Sequence, residues 1–177
     1  MKKILLTLSM TALLLFTAGC SCPFSDKTAD SKPQMSTAAA STAEITHDFS
    51  FKDLGSGKTM RLSDLKGKPV FINFWATWCP PCVGELPHIE KKYSEYKDRM
   101  HFVILSVDDN EQEPSRFIKS NGYTFPAAYG DHQALGRAYG IDAIPASYII
   151  SADGHIVARI VGSMNESSLD AFLQKAF

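Results

Sequence analysis

Phe74-Trp75-Ala76-Thr77-Trp78-Cys79-Pro80-Pro81-Cys82 is the stretch from which the rest of this 177-residue chain is read. An apolar run from Val70 leads into it, and a helical pattern from Glu85 to Lys97 leads out. The order is a strand that ends in two cysteines at the start of a helix. Pro80 and Pro81 fit there, because the first turn of a helix makes no use of its own N–H groups. Two cysteines with this spacing across a first helical turn can close a small, reducible disulfide, so the chemistry suggested is dithiol–disulfide exchange. Cys79 stands where orphan N–H groups and the positive end of the helix dipole stabilise a thiolate. The thiolate is the attacking form, which makes Cys79 the expected nucleophile and Cys82 its resolving partner.

Two blander uses of the same spacing fare worse. A closed zinc site needs two further Cys or His ligands at similar spacing. Cys20 and Cys22 lie far upstream in a different kind of segment, and His47, His88, His101, His132 and His155 are scattered singly. No metal is expected. A purely structural disulfide would close too small a loop to constrain much of the unfolded chain. The chemistry needs no cofactor beyond a redox-active Cys79–Cys82 disulfide.

The segment Phe74 to Cys82, with Glu85 and Pro87 after it, resembles the active-site segment of the thioredoxin superfamily. The similarity is greatest to extracytoplasmic TlpA/ResA-like thiol–disulfide oxidoreductases. It continues through Tyr139-Gly140-Ile141-Asp142-Ala143-Ile144-Pro145 and Asp153-Gly154, and covers roughly residues 45–177. The resemblance implies a cis Pro145 facing the dithiol, which would turn a backbone edge toward an added client strand. It also implies a partly buried Glu85 that tunes proton transfer, against the plainer reading of a solvated first-turn acid. Trp78, Pro80, Pro81 and Ile144 are then the expected client contacts, with Trp75 a packing platform. Asn73 stands where many cytoplasmic thioredoxins have a buried Asp. It cannot titrate, which shifts the acid–base work to Glu85 or water.

Taken in order, the chain opens on a targeting segment, residues 1–19. Lys2 and Lys3 precede an apolar Ile4–Phe16 that is short for a membrane span, and small residues follow. Thr17-Ala18-Gly19-Cys20 resembles the lipobox of bacterial lipoproteins, with Thr17 where that motif usually carries Leu. Cys20 is the expected lipidation site, and Cys22 an additional thiol with no assigned role. Residues 20–43 are rich in Ser, Thr, Ala, Lys and Asp without apolar period, and read as a flexible tether. The mature protein is expected outside the cytoplasm, anchored to the membrane as a lipoprotein. Net charge is −1 with both signs interspersed, so no basic stripe points to nucleic acid.

Residues 44–177 read as one thioredoxin-like α/β domain. A hairpin (Phe49–Leu62 around Gly55–Lys58) comes first. A buried strand Val70–Ala76 and a helix Pro80–Asp98, kinked at Pro87, follow. Phe102–Val107 is a second buried strand, and Asp108-Asp109-Asn110-Glu111 reads as a solvated loop capping the next helix. Helix 114–120, an extended piece 124–128, helix 133–139, a hairpin 146–161 and a last helix capped by Asn165 or Ser167 complete the order. The expected fold is a central mixed β-sheet flanked by helices, with an N-terminal β-hairpin and an α-β insertion as its surplus over a thioredoxin core.

The function expected is a monomeric, membrane-tethered reductase of disulfides in extracytoplasmic proteins. Its partners would be disulfide-containing clients, such as apocytochrome c or oxidised secreted proteins, and a membrane relay that supplies electrons. A disulfide-donating oxidant and a non-catalytic client- or haem-binding lipoprotein are the rival expectations. A peroxidase is weaker, since no single activated Cys with Thr and Arg support is present.

Overall fold

The structure, a computed structural model, describes residues 44–177; the leader, the tether, Cys20 and Cys22 lie outside the described residues. Its elements are β1 (Glu44–Ile45), the hairpin β2 (Ser50–Asp53) and β3 (Thr59–Arg61), a 3-10 turn (Leu62–Leu65) and β4 (Val70–Trp75). Next come α1 (Pro80–Tyr96), β5 (His101–Ser106), α2 (Gln112–Asn121), β6 (Ala127–Tyr129) and α3 (His132–Tyr139). The chain closes with β7 (Ala146–Ile150), β8 (His155–Val161), α4 (Glu166–Leu173) and a 3-10 turn (Gln174–Ala176). Among the described residues no helix is long and apolar enough to cross a membrane.

All six residues of β4 are buried, Asn73 among them, as its otherwise apolar character demands. Period-two alternation divides them between two cores. Phe71 and Trp75 join Leu86 and Ile89 of α1 and Leu169 and Phe172 of α4. Val70, Ile72 and Phe74 join Leu135 and Tyr139 of α3 and Phe51 of the hairpin. β5 divides in the same way: Phe102 and Ile104 face the first core, Val103 and Leu105 the second. The eight strands run β1-β8-β7-β4-β5-β6-β2-β3. β4, β5 and β6 are parallel, while β7 and β8 return antiparallel beyond β4.

The expected order of elements holds, including the inserted α2–β6 pair, which widens the sheet so that β2 of the hairpin pairs antiparallel with β6. Two details differ. β1 was not expected; it pairs with Ile156 and His155 at the far edge. Its two residues are too few to leave a periodic signal. β6 starts at Ala127 rather than 124, because the N–H groups of Thr124 and Phe125 donate to the Glu90 carboxylate of α1 at 2.8 and 3.1 Å. α1 is continuous through Pro87, which is exposed on its outer side.

Candidate active site

The end of β4 delivers the dithiol to the N-terminus of α1. Cys79 is the N-cap of that helix in an extended conformation (φ −102°, ψ 99°), with Pro80 and Pro81 in the first turn. The backbone N–H of Cys82 donates to Cys79 Sγ at 3.3 Å. A sulfur thus fills the place that an oxygen fills in an ordinary N-cap. Negative charge on Cys79 would be met there by an N–H and by the helix dipole. Cys79 and Cys82 form a disulfide, with Cα atoms 5.3 Å apart. Cys82 lies deeper and begins the buried face of α1 that continues through Glu85, Leu86 and Ile89.

The loop before β7 closes the site from the opposite side. The Ile144–Pro145 bond is cis, and Cys79 Sγ lies 3.8 Å from the Ile144 carbonyl oxygen. The Pro145 carbonyl accepts from Gly162 N–H at 2.8 Å, which fastens this loop to the end of β8. Trp78 is 63% exposed, whereas Trp75 is fully buried and stacks at a tilt on Phe117, 5.6 Å away. Trp75 therefore belongs to the core, as a platform beneath the site. Beside the dithiol a groove of 410 Å³ is lined by Trp78, Val107, Ile141, Asp142 and Ile144.

Glu85 is 1% exposed, so the solvated first-turn reading does not hold. Burial pushes its carboxyl up from 4.5 to about 7, although Met164 N–H (3.1 Å) and Asn73 Nδ2 (3.5 Å) donate to it and pull the other way. Desolvation wins because only two neutral donors, one of them long, replace the water shell of a carboxylate. Asn73 also donates to Ser147 Oγ at 3.0 Å, linking β4, β7 and α1 behind the disulfide. Glu85 and Asn73 are thus brought together, which their separation in the chain did not announce, and Met164 is a third member found only in the fold.

The acidic run 108–111 corrects the expectation of a solvated loop. Asp109, Asn110 and Glu111 do lie toward the surface, where Asn110 Oδ1 accepts from the N–H groups of Gln112 and Glu113 at the start of α2. Asp108, however, is completely buried. A signal for this was present: residues 104, 106 and 108 share one face of an extended chain, and Ile104 is core. Among the described residues no cluster of His, Cys, Asp and Glu side chains has a metal-holding arrangement.

The Redoxin family matches residues 38–173. The thiol-disulfide oxidoreductase ResA of Bacillus thuringiensis (strain Al Hakam) is 36% identical over 129 residues, 72% of this chain and 74% of that protein. StoA from Bacillus subtilis superposes with a TM-score of 0.63 at 28% identity, covering 73% of this chain and 98% of that one. The exposed lipoprotein thioredoxin of Streptococcus pneumoniae strain TIGR4 does so with a TM-score of 0.65 at 27% identity, covering 73% and 99%.

Proposed function

The chain belongs to the TlpA/ResA-like branch of the thioredoxin superfamily and is a thiol–disulfide oxidoreductase; from that premise we propose that it reduces disulfides of extracytoplasmic proteins while tethered to the membrane. The observation that carries the reading is the capping geometry of Cys79, whose sulfur takes a helix N–H in place of an oxygen. In the reduced protein this stabilises the thiolate, and Cys79 attacks one sulfur of a client disulfide. That S–S bond breaks, a mixed disulfide forms, and the other client sulfur leaves as a thiolate. Cys82 then attacks Cys79 Sγ and releases the second client sulfur. The client has gained two electrons and the chain holds the Cys79–Cys82 disulfide. Glu85, buried on the same helix face and titrating near 7, takes the Cys82 proton as that thiol becomes the nucleophile.

The client lies as an extended segment against the backbone edge before Pro145, over Trp78, Pro80, Pro81 and Ile144. These residues offer apolar surface without charge, which suits many sequences around a target disulfide. Residues 1–19 direct export, Cys20 carries the lipid and residues 20–43 hold the domain off the surface. The leader pattern and the exposed lipoprotein nature of the pneumococcal relative support this arrangement. Turnover in an oxidising compartment requires electrons from a membrane thiol relay. Cysteine pairs of apocytochrome c and oxidised secreted proteins are the client classes that fit.

The test is the equilibrium reduction potential of the Cys79–Cys82 pair in glutathione or dithiothreitol buffers. A value near that of thioredoxin, roughly −270 mV or lower, is expected for a reductant. A value near that of the strong periplasmic oxidant, roughly −120 mV, would make the chain a disulfide donor instead. Retained complementation by the Cys79→Ser, Cys82→Ser double variant would replace catalysis with client binding.

A further inference from the structure

The turn that carries the nucleophile is fastened from the neighbouring strand by a buried carboxylate. β4 and β5 run parallel to Trp75↔Ser106, and Val107 N–H extends the ladder by donating to the Trp75 carbonyl at 2.9 Å. Beyond that point the backbones part: one continues as Ala76-Thr77-Trp78 into Cys79, the other as Asp108. Asp108 spans the gap. Its Oδ1 and Oδ2 accept the Thr77 backbone N–H at 3.2 and 3.1 Å, and Oδ1 accepts the Thr77 hydroxyl at 2.7 Å. Oδ2 also accepts the Ser106 hydroxyl at 2.7 Å, and Ser106 Oγ in turn accepts the Asp108 N–H at 3.1 Å. The carboxylate is 0% exposed and, among the described residues, is held by hydroxyl and amide donors alone.

This arrangement is costly as mere loop structure. A buried carboxylate that is not paired with a cation loses its hydration, and it persists where several fixed donors replace the water. Two of the three groups that donate to it belong to one residue, Thr77, two positions before Cys79. The Thr77 hydroxyl and backbone N–H both end on Asp108. The next fastening point is Cys79 itself, whose N–H donates to the Ala76 carbonyl at 3.2 Å. Between them these bonds fix the path of the turn, and so fix where Cys79 Sγ sits relative to the Cys82 N–H.

We infer that Asp108 is a positioning residue for the Cys79 nucleophile, acting through Thr77 to hold the turn in the conformation that caps α1 with sulfur. This rests on the reading of Cys79 as the attacking thiol. The geometry separates two effects that run in opposite directions. Positioning predicts that loss of the Asp108–Thr77 bonds weakens the cap and makes the thiol less acidic. A simple field effect predicts the reverse, because removing a negative charge near a developing thiolate favours it.

The experiment measures the iodoacetamide alkylation rate of Cys79 in the reduced full-length protein between pH 5 and 9, with the modified residue located by mass spectrometry. Wild type is compared with Asp108→Asn, Thr77→Val and Thr77→Ser, each checked for native circular dichroism. For Asp108→Asn and Thr77→Val, the rate at pH 6 falls about tenfold and the apparent thiol pKa rises by about one unit. Thr77→Ser, which keeps the hydroxyl, stays within about twofold of wild type. Unchanged reactivity in Thr77→Val, or faster alkylation in Asp108→Asn, overturns the inference. If Asp108→Asn does not fold, the Thr77 pair decides alone. Failure of the underlying reading has a different signature: wild-type alkylation at low pH then falls on Cys82, or on neither thiol.

Discussion

Replacing Glu85 with glutamine should change how stability depends on pH, and the size of the change follows from the burial of this one carboxyl. In the folded chain its protonation is centred near 7, against 4.5 for an accessible glutamate. At 1.36 kcal/mol per pKa unit, that difference is worth about 3 kcal/mol. The sign follows from proton linkage. Between 4.5 and 7 the folded state keeps the proton that the unfolded state has released, so the folded state binds more protons and stability falls as pH rises. The contribution is fully present below about pH 4.5 and is lost once pH passes 7. Glu85→Gln removes this dependence while keeping one oxygen to accept the Met164 N–H. Every other titrating group is common to both proteins and cancels in the difference. Urea unfolding of the oxidised proteins, repeated from pH 4.5 to 8, should therefore show the variant gaining about 3 kcal/mol on wild type across the window. A difference that stays constant within about 0.5 kcal/mol would refute the argument, and with it the claim that desolvation outweighs the Met164 and Asn73 hydrogen bonds.

Three further outcomes follow from the same geometry. Asn73→Asp places a second buried carboxyl about 3.5 Å from Glu85; the pair should share one proton and lose on the order of 3 kcal/mol relative to wild type at pH 8, recovering below pH 5, in parallel urea melts. Cys82→Ser should accumulate a covalent mixed disulfide through Cys79 with a disulfide-bonded peptide, visible by mass spectrometry, while Cys79→Ser forms none. Leu86→Ala, at a fully buried position of α1, should cost about 2–5 kcal/mol in chemical denaturation at a fixed pH.

Much of the fold was legible because the chain punctuates itself. Val70–Trp75 is uniformly apolar apart from Asn73, is the length of a strand, and stops at a small residue before the cysteines. Helix ends carried their own marks: Gly122 and Gly140 adopt left-handed conformations at the C-termini of α2 and α3, and Asn165 accepts the Ser168 N–H to start α4. What stayed hidden depends on distant residues meeting. Glu90, on α1, takes two N–H groups out of the β6 ladder. Asp108, read within a run of four polar residues, looked solvated; its partnership with Thr77, 31 positions earlier, together with Ser106 makes burial tolerable. β1 pairs with β8 over two residues, too few to give a local signal.

The site shows why a titrating acid suits α1 better than β4 in this chain. Asn73, in the middle of a fully buried strand, is as buried as Glu85, so exposure does not separate the two positions. A carboxyl there would sit on a short side chain of the sheet, between Glu85 and Ser147. Glu85 sits one helical turn after Cys82 on a longer side chain, on the helix that also carries both sulfurs. Asn73 is left to do what a neutral amide does well: donate toward Glu85 on one side and to Ser147 on the other. Among the described residues the other group that donates to the carboxyl is the Met164 backbone, from the turn after β8. In the mechanism proposed above, proton transfer falls to the element that bears the thiols, while Asn73 of the strand donates to the acid. A change in the distance between α1 and the sheet would alter the acidity of Glu85 and the alignment of the dithiol together, so the packing of Leu86 and Ile89 beneath α1 bears on the chemistry as well as on stability.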